Sequence, residues 1–152
     1  MSQTSRGAVA VGGGALAGKS ALVTGGGRGI GAAIARALST AGARVALVGR
    51  TEAALQETAD SLPGEAIVVV ADLGEREAPG LVADRVAAAF DGIDVLVNNA
   101  GIANGSASDE LTAEAIDAVL ALNVRAPLLL AGATAFAAQI AAGLGDFEED
   151  VQ

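Results

Sequence analysis

Short β-branched apolar runs alternate along the chain with longer stretches in which apolar residues recur every three or four positions. The short runs predict strands, the longer ones amphipathic helices, and their regular alternation predicts parallel βαβ units. Ser20, Ala21, Leu22, Val23 and Thr24 form the first expected strand, followed by a glycine turn. Ile30, Ile34, Leu38 and Ala41 then place an apolar stripe on a helix over 29–41, which Gly42 stops. The second strand is 45–48. Thr51 is positioned to cap a helix that buries Leu55, Ala59 and Leu62 and ends at Pro63-Gly64.

A third strand is expected over 66–70. It is followed by a helix over about 80–90 with Leu81, Val82, Val86 and Phe90 inward, and by a fourth strand over 93–97. All four strands read as near-continuous apolar runs, as strands buried on both faces should. Beyond a small-residue loop over 101–108, Thr112 caps a long helix carrying Ile116, Val119, Leu120 and Leu128 to Leu130, expected to reach about residue 142. The fold class is therefore α/β, a Rossmann-like doubly wound parallel sheet that stops after about four strands and the fourth helix.

Length and composition fix the organisation. A chain of 152 residues with 52% hydrophobic content supports one domain with a real core. The expected division is a flexible leader over 1–17, a nucleotide-binding domain over 18–142 and an acidic tail over 143–152. A signal-peptide reading of the leader is disfavoured, because Gly12, Gly13 and Gly14 interrupt its apolar stretch. No uninterrupted apolar run reaches the roughly 18 residues of a membrane span, so no membrane partner is expected. The net charge of −9 argues against a nucleic-acid partner as well. With no Cys and no His, the usual zinc ligands, thiol nucleophiles and imidazole bases are excluded, and so are disulfides, which fits a cytoplasmic setting.

An acidic protein that binds an anion must do so locally. Thr24-Gly25-Gly26-Gly27-Arg28-Gly29-Ile30-Gly31 lies between the first strand and the first helix. Glycines in that position let the backbone approach a pyrophosphate, which then meets the free N–H groups and positive dipole of the helix. A glycine-rich turn alone could be a tight connection, but this one has the strand–turn–helix context that phosphate binding needs.

The spacing of that turn, TGxxxGxG, resembles the motif of the short-chain dehydrogenase/reductase family. Three further features support the resemblance, which covers about residues 16 to 138. Asp72 follows the third strand, where the family places an Asp at the adenine ring, with Leu73 beside it. Asn98-Asn99-Ala100-Gly101 matches the NNAG motif, of which Asn99, Ala100 and Gly101 are the implied cofactor contacts. Asn123 in Leu122-Asn123-Val124 matches the catalytic Asn of the fourth helix. The resemblance implies an oxidoreductase that exchanges a hydride between a nicotinamide cofactor and a small carbonyl or alcohol, and a homo-oligomer assembled through the fourth helix.

The end of the second strand bears on which cofactor. An acidic residue there would bind a ribose 2′-hydroxyl, whereas Arg accommodates a 2′-phosphate. The chain has Gly49-Arg50, and Arg28 in the glycine loop is similar to a second basic residue of NADP-preferring members, so NADP(H) is favoured over NAD(H).

Asn123 also stands out without the family. It falls on the apolar stripe seven residues after Ile116, so a buried amide in need of partners is expected. Pro127, four residues later, offers no N–H to its carbonyl, and a kink should follow. One reading is an ordinary satisfied Asn beside a proline kink. The other, implied by the resemblance, is a carbonyl that holds a water in a proton relay.

A competing motif, Gly13-Gly14-Ala15-Leu16-Ala17-Gly18-Lys19-Ser20, satisfies the Walker A pattern of a P-loop nucleotide triphosphatase. That function needs a helix straight after Lys-Ser, and Ala21-Leu22-Val23-Thr24 is β-branched and runs into three glycines. The family's YxxxK motif has no counterpart: the chain contains no Tyr, and its only Lys is Lys19. Two readings remain open, a truncated oxidoreductase with little or no turnover alone, or a non-catalytic nucleotide-binding or interaction module.

Overall fold

The computed structural model describes residues 14–103 and 111–141. Most of the expected leader (1–13), part of the small-residue loop (104–110) and the acidic tail lie outside the described residues. Four strands, β1 (Ser20–Thr24), β2 (Arg44–Gly49), β3 (Ala66–Val70) and β4 (Val95–Val97), form one sheet in the order β3-β2-β1-β4, with every pairing parallel. Between them run α1 (Gly29–Thr40), α2 (Glu52–Asp60) and α3 (Ala78–Phe90). After β4 come α4 (Ala113–Leu120), a π-helical turn (Ala121–Arg125) and α5 (Ala126–Ala141). This is the doubly wound α/β class read from the sequence.

Side-chain alternation on the two central strands builds two cores. Leu22 of β1 and Ala46 and Val48 of β2 face α3 and α5, where they meet Val82, Val86, Phe90, Ala126 and Leu130. Val23, Val45 and Leu47 point the other way, onto Ala35 of α1 and Leu55 of α2. Each fully buried Leu, Val or Phe contributes roughly 1.5–3 kcal/mol, so these two layers are the main source of stability. β1 is buried throughout and β2 from Val45 to Val48, but β3 and β4 are only partly buried. The expectation of four strands buried on both faces is corrected accordingly: the described sheet covers both faces only at its centre.

Two inward assignments are also corrected. The deepest positions on α1 are Gly31, Ala35 and Ser39, one residue beyond the expected stripe, and Ile30 is 74% exposed. Small residues face the sheet because the helix starts so close to it that larger ones would not fit, leaving Ile34 and Leu38 to pack at the flank. On α3, Leu81 is 68% exposed, while Pro79, Val82, Ala83, Val86 and Phe90 are buried. The helix begins earlier than expected, at Ala78, because Pro79 suits its first turn. The fourth strand is shorter than expected, starting at Val95; Asp94 instead joins Lys19 and Ser20 at the foot of the sheet.

The kink expected at Pro127 takes the form of the π-helical turn. Ala126 N–H reaches back to the carbonyl of Ala121, a five-residue step that takes up the register at the proline. Thr112 caps α4 as expected, its hydroxyl accepting from Ala115 N–H at 3.2 Å. Thr51 occupies the cap position of α2 without a side-chain capping bond. The helical segment Ala113–Ala135 contains an 18-residue window of mean hydropathy 1.5, long and apolar enough to cross a membrane by length and composition. That average is carried by Ala, Val and Leu, and Glu114, Asp117 and Arg125 interrupt the segment, which is why a search for an uninterrupted apolar run passes over it.

Candidate functional site

The carboxyl ends of the strands open into a cleft of about 360 Å³ on the side where the chain reverses between β1 and β4. Its walls come from four connections, those after β1, β2, β3 and β4. Gly25, Arg28, Ile30, Gly31, Arg50, Asp72, Leu73, Asn99, Ala100 and Gly101 all line it. Ten of the positions expected from the sequence thus share one space. Thr24 and Gly29 do not line the cleft, and neither does Asn123, which stands just behind it.

Thr24 explains how two of the walls are joined. It is buried, and its Oγ1 accepts from the backbone N–H groups of Asn99 at 3.0 Å and Ala100 at 2.9 Å. Asn99 answers by donating its amide Nδ2 to the carbonyls of Thr24 at 2.9 Å and Gly25 at 3.3 Å. These bonds satisfy polar groups that would otherwise be buried and unpaired, and they tie the glycine loop to the strand beside it.

Gly31 sets the distance between α1 and that loop. A Cβ at this position would lie 2.1 Å from the Gly25 carbonyl oxygen and 2.6 Å from Asn99 Nδ2. Only glycine lets the helix N-terminus come this close. The first N–H groups of α1 have no intrahelical acceptor, and no acidic side chain stands in its first turn. Arg28 precedes the helix in extended conformation, and Arg50 stands at the end of β2; both are exposed and form no salt bridge among the described residues. Two arginines and one aspartate among the lining residues make the cleft locally cationic in a chain of net charge −9. Backbone donors, a positive helix end and two guanidinium groups fit the phosphates of a dinucleotide. Ile30, Ala54, Leu55, Leu73, Ile102 and Leu122 supply apolar wall for its rings.

Asp72 lies on the opposite wall, where its Oδ1 accepts from Gly74 N–H at 2.9 Å. Asn123 departs from expectation in one respect: its side chain is exposed rather than buried. Both of its polar atoms are nevertheless paired, because Oδ1 accepts from Ile102 N–H at 2.9 Å while Nδ2 donates to the Ile102 carbonyl at 2.7 Å. The amide thus fixes the chain after the Asn99-Ala100-Gly101 segment, in a way no apolar residue could. Thr51, Ala54, Ile102 and Leu122 also line the cleft and were not anticipated. Thr51 and Ile102 adjoin Arg50 and Gly101 in sequence, whereas Ala54 and Leu122 enter from helix faces whose orientation periodicity alone does not reveal.

The Walker-like residues lie at the other end of the strand. Lys19 Nζ pairs with Asp94 at 2.9 Å, and Ser20 opens β1 rather than a helix, with its N–H donating to Asp94 at 2.8 Å. These bonds hold the Asp94 carboxyl below its ordinary value. This is not a P-loop geometry: among the described residues the Lys-Ser pair leads into a strand, and no helix starts there to aim its N–H groups at a phosphate.

Comparison with known proteins agrees with this geometry. The family model described as short chain dehydrogenase matches residues 19–143. The chain is 43% identical to L-xylulose reductase of Bos taurus over 111 residues, covering 73% of this chain and 43% of that one. A short chain dehydrogenase from Burkholderia cenocepacia, solved in complex with NADP, superposes with a TM-score of 0.75 at 47% identity, over 79% of this chain and 51% of that one. A metagenomic short-chain oxidoreductase in complex with NADP gives a TM-score of 0.78 at 42% identity, over 86% of this chain and 60% of that one. The chain therefore spans less than half the length of the curated relative and a little over half of the solved structures.

Proposed function

Because the chain belongs to the short-chain dehydrogenase family, we propose that its cleft holds NADP(H) and serves an oxidoreductase acting on a small carbonyl or alcohol. The observation that carries the cofactor choice is the end of β2. Arg50 stands there with Arg28 across the cleft, and no carboxylate at that strand end repels a 2′-phosphate. In this reading Gly25, Gly29, Ile30 and Gly31 present backbone to the pyrophosphate. Asp72 and Leu73 take the adenine side, and Asn99, Ala100 and Gly101 the nicotinamide side. Thr24 works from behind by fixing Asn99 and Ala100.

When bound, the nicotinamide exchanges a hydride with the carbonyl or alcohol carbon. Asn123 holds the Ile102 segment beside that reacting end. The chain has no Tyr to exchange the accompanying proton, so these 152 residues bind cofactor without measurable carbonyl reduction. Self-association through the outer face of α4 and α5 is part of the same proposal, supported by the exposure of Leu120, Val124 and Leu128 there. A cytoplasmic setting goes with it, because dissociable nicotinamide cofactors circulate there.

The test is a fluorescence titration with NADPH and NADH. Loss of one charge-assisted bond to the 2′-phosphate is worth about 1.5–3 kcal/mol, or roughly ten- to a hundredfold in affinity. Arg50→Glu should weaken NADPH binding by at least that factor and leave NADH within about threefold. Equal loss for both cofactors would refute the assignment of Arg50 to the 2′-phosphate.

A further inference from the structure

Opposite walls of the cleft are joined by a side chain that the NADP(H) reading leaves without a task. Arg125 ends the π-helical turn, two residues after Asn123, and its Nη2 donates to the carbonyl of Gly74. Gly74 in turn donates its N–H to Asp72 Oδ1 at 2.9 Å, and Asp72 and Leu73 line the adenine side. At its other end the same turn carries Leu122, which lines the cleft, and Asn123, whose amide grips both backbone groups of Ile102. A continuous route of hydrogen bonds and one helical turn therefore runs from Asp72 through Gly74 and Arg125 to Asn123 and Ile102.

Two features indicate that this route is more than packing. The Nε of Arg125 is buried without a partner among the described residues, so the guanidinium has given up water there and gained one carbonyl bond. An arrangement selected for stability alone would pair that donor or replace it with an apolar group. The element it holds is also a break in the regular helix. A π-helical turn has an irregular hydrogen-bond ladder, and Pro127 supplies no N–H to the Asn123 carbonyl. Arg125 is the side chain that ties this turn to the loop of Asp72 and Gly74.

We propose that Arg125 is a positioning residue that couples the loop of Asp72 and Gly74 to the π-helical turn, so that a nucleotide seated on the adenine side orders Asn123 and Ile102 on the nicotinamide side. The inference rests on the NADP(H) reading of the cleft. It goes beyond that reading by making the two ends of the cleft interdependent through one named side chain.

The test is hydrogen–deuterium exchange on the full chain with and without adenosine 2′,5′-bisphosphate, which has the adenine and the 2′-phosphate but no nicotinamide. In the native protein, exchange should slow at residues 25–31 and 50–51 by direct contact. It should also slow at residues 121–126, by about five- to tenfold, the lower range of typical coupling between sites. Slowing at 25–31 with none at 121–126 would overturn the coupling without any variant being made. Arg125→Met should keep the direct slowing and reduce the remote effect to less than about twofold. Arg125→Gln, too short to reach Gly74, carries the same expectation should the Met variant not fold. Arg125→Lys, which keeps a charged donor, should restore at least about threefold slowing, a readout that a merely structural role would not move. An unchanged remote effect in Arg125→Met, or Lys behaving as Met does, overturns the role of Arg125. No slowing anywhere in the native protein would overturn the nucleotide reading itself, and the two failures are told apart by residues 25–31.

Discussion

Replacing Gly31 with alanine drives a methyl group against backbone. The nearest atoms to the new Cβ would be the Gly25 oxygen at 2.1 Å, Asn99 Nδ2 at 2.6 Å and the Gly25 carbonyl carbon at 2.8 Å. Restoring ordinary contact requires α1 and the glycine loop to separate by roughly 1.3 Å, which disturbs a packed core rather than a flexible side chain. Overpacking of this kind costs about 1–3 kcal/mol, and loss of an Asn99 bond adds about 1 kcal/mol. The gain from Ala over Gly inside a helix offsets about 1 kcal/mol of this. A net loss of roughly 1–3 kcal/mol corresponds to a Tm lower by about 3–10 °C in a protein of this size.

Gly80 provides the control. It lies within α3, and a Cβ built there has nothing within 4 Å. Gly80→Ala should therefore raise Tm by about 1–3 °C through helix propensity alone. Thermal melts followed by circular dichroism on both variants decide the matter. Two shifts of the same sign, or a Gly31→Ala melt within about 1 °C of the native chain, would show that the close approach of α1 to the loop is not as described.

Two further expectations follow from other parts of the molecule. Lys19 and the Ser20 N–H lower the Asp94 pKa from 3.8, so the stability they provide is present above that value and disappears as pH falls through the lowered one. Asp94→Asn should lower stability near about pH 7 by less than about 1 kcal/mol, the pair being 54% and 37% exposed, and by progressively less as pH falls through the lowered pKa; a pH-independent difference in denaturant titrations contradicts this. Leu128, 68% exposed on the outer face of α5, should matter for self-association. In analytical ultracentrifugation the native chain should sediment as a dimer or larger and Leu128→Glu as a monomer with unchanged helix content, whereas a monomeric native chain refutes an interface there.

Alternation of short β-branched runs with amphipathic stretches was sufficient to order the elements, because strands such as Val45 to Val48 are too short and too β-branched for a helix. Polarity did not reveal how closely two elements approach. Ile30 reads as core by its spacing, yet the face that meets the sheet is made of Gly31, Ala35 and Ser39. The glycine turn and Arg50 were legible because their chemistry and their place at strand ends coincide, whereas Asp72 and the Asn99-Ala100-Gly101 segment stood out only through the resemblance to the family's motifs. Ala54 and Leu122 were not legible, since an apolar residue on a helix carries no mark of which cavity it will face. Pro127 announced a disruption, and the missing N–H accounts for it. That the disruption would become a π-helical turn, with Arg125 reaching the Gly74 carbonyl, depends on a loop 51 residues earlier in the chain.

The most direct test of a locally cationic, dinucleotide-shaped cleft is an NMR titration of the ¹⁵N-labelled chain with NADPH. The account predicts that amide shifts concentrate at residues 25–31, 50–51, 72–73 and 99–102, with Lys19 and Ser20 at the foot of the sheet unmoved. Shifts centred on Lys19 and Ser20, or none at saturating NADPH, would contradict it.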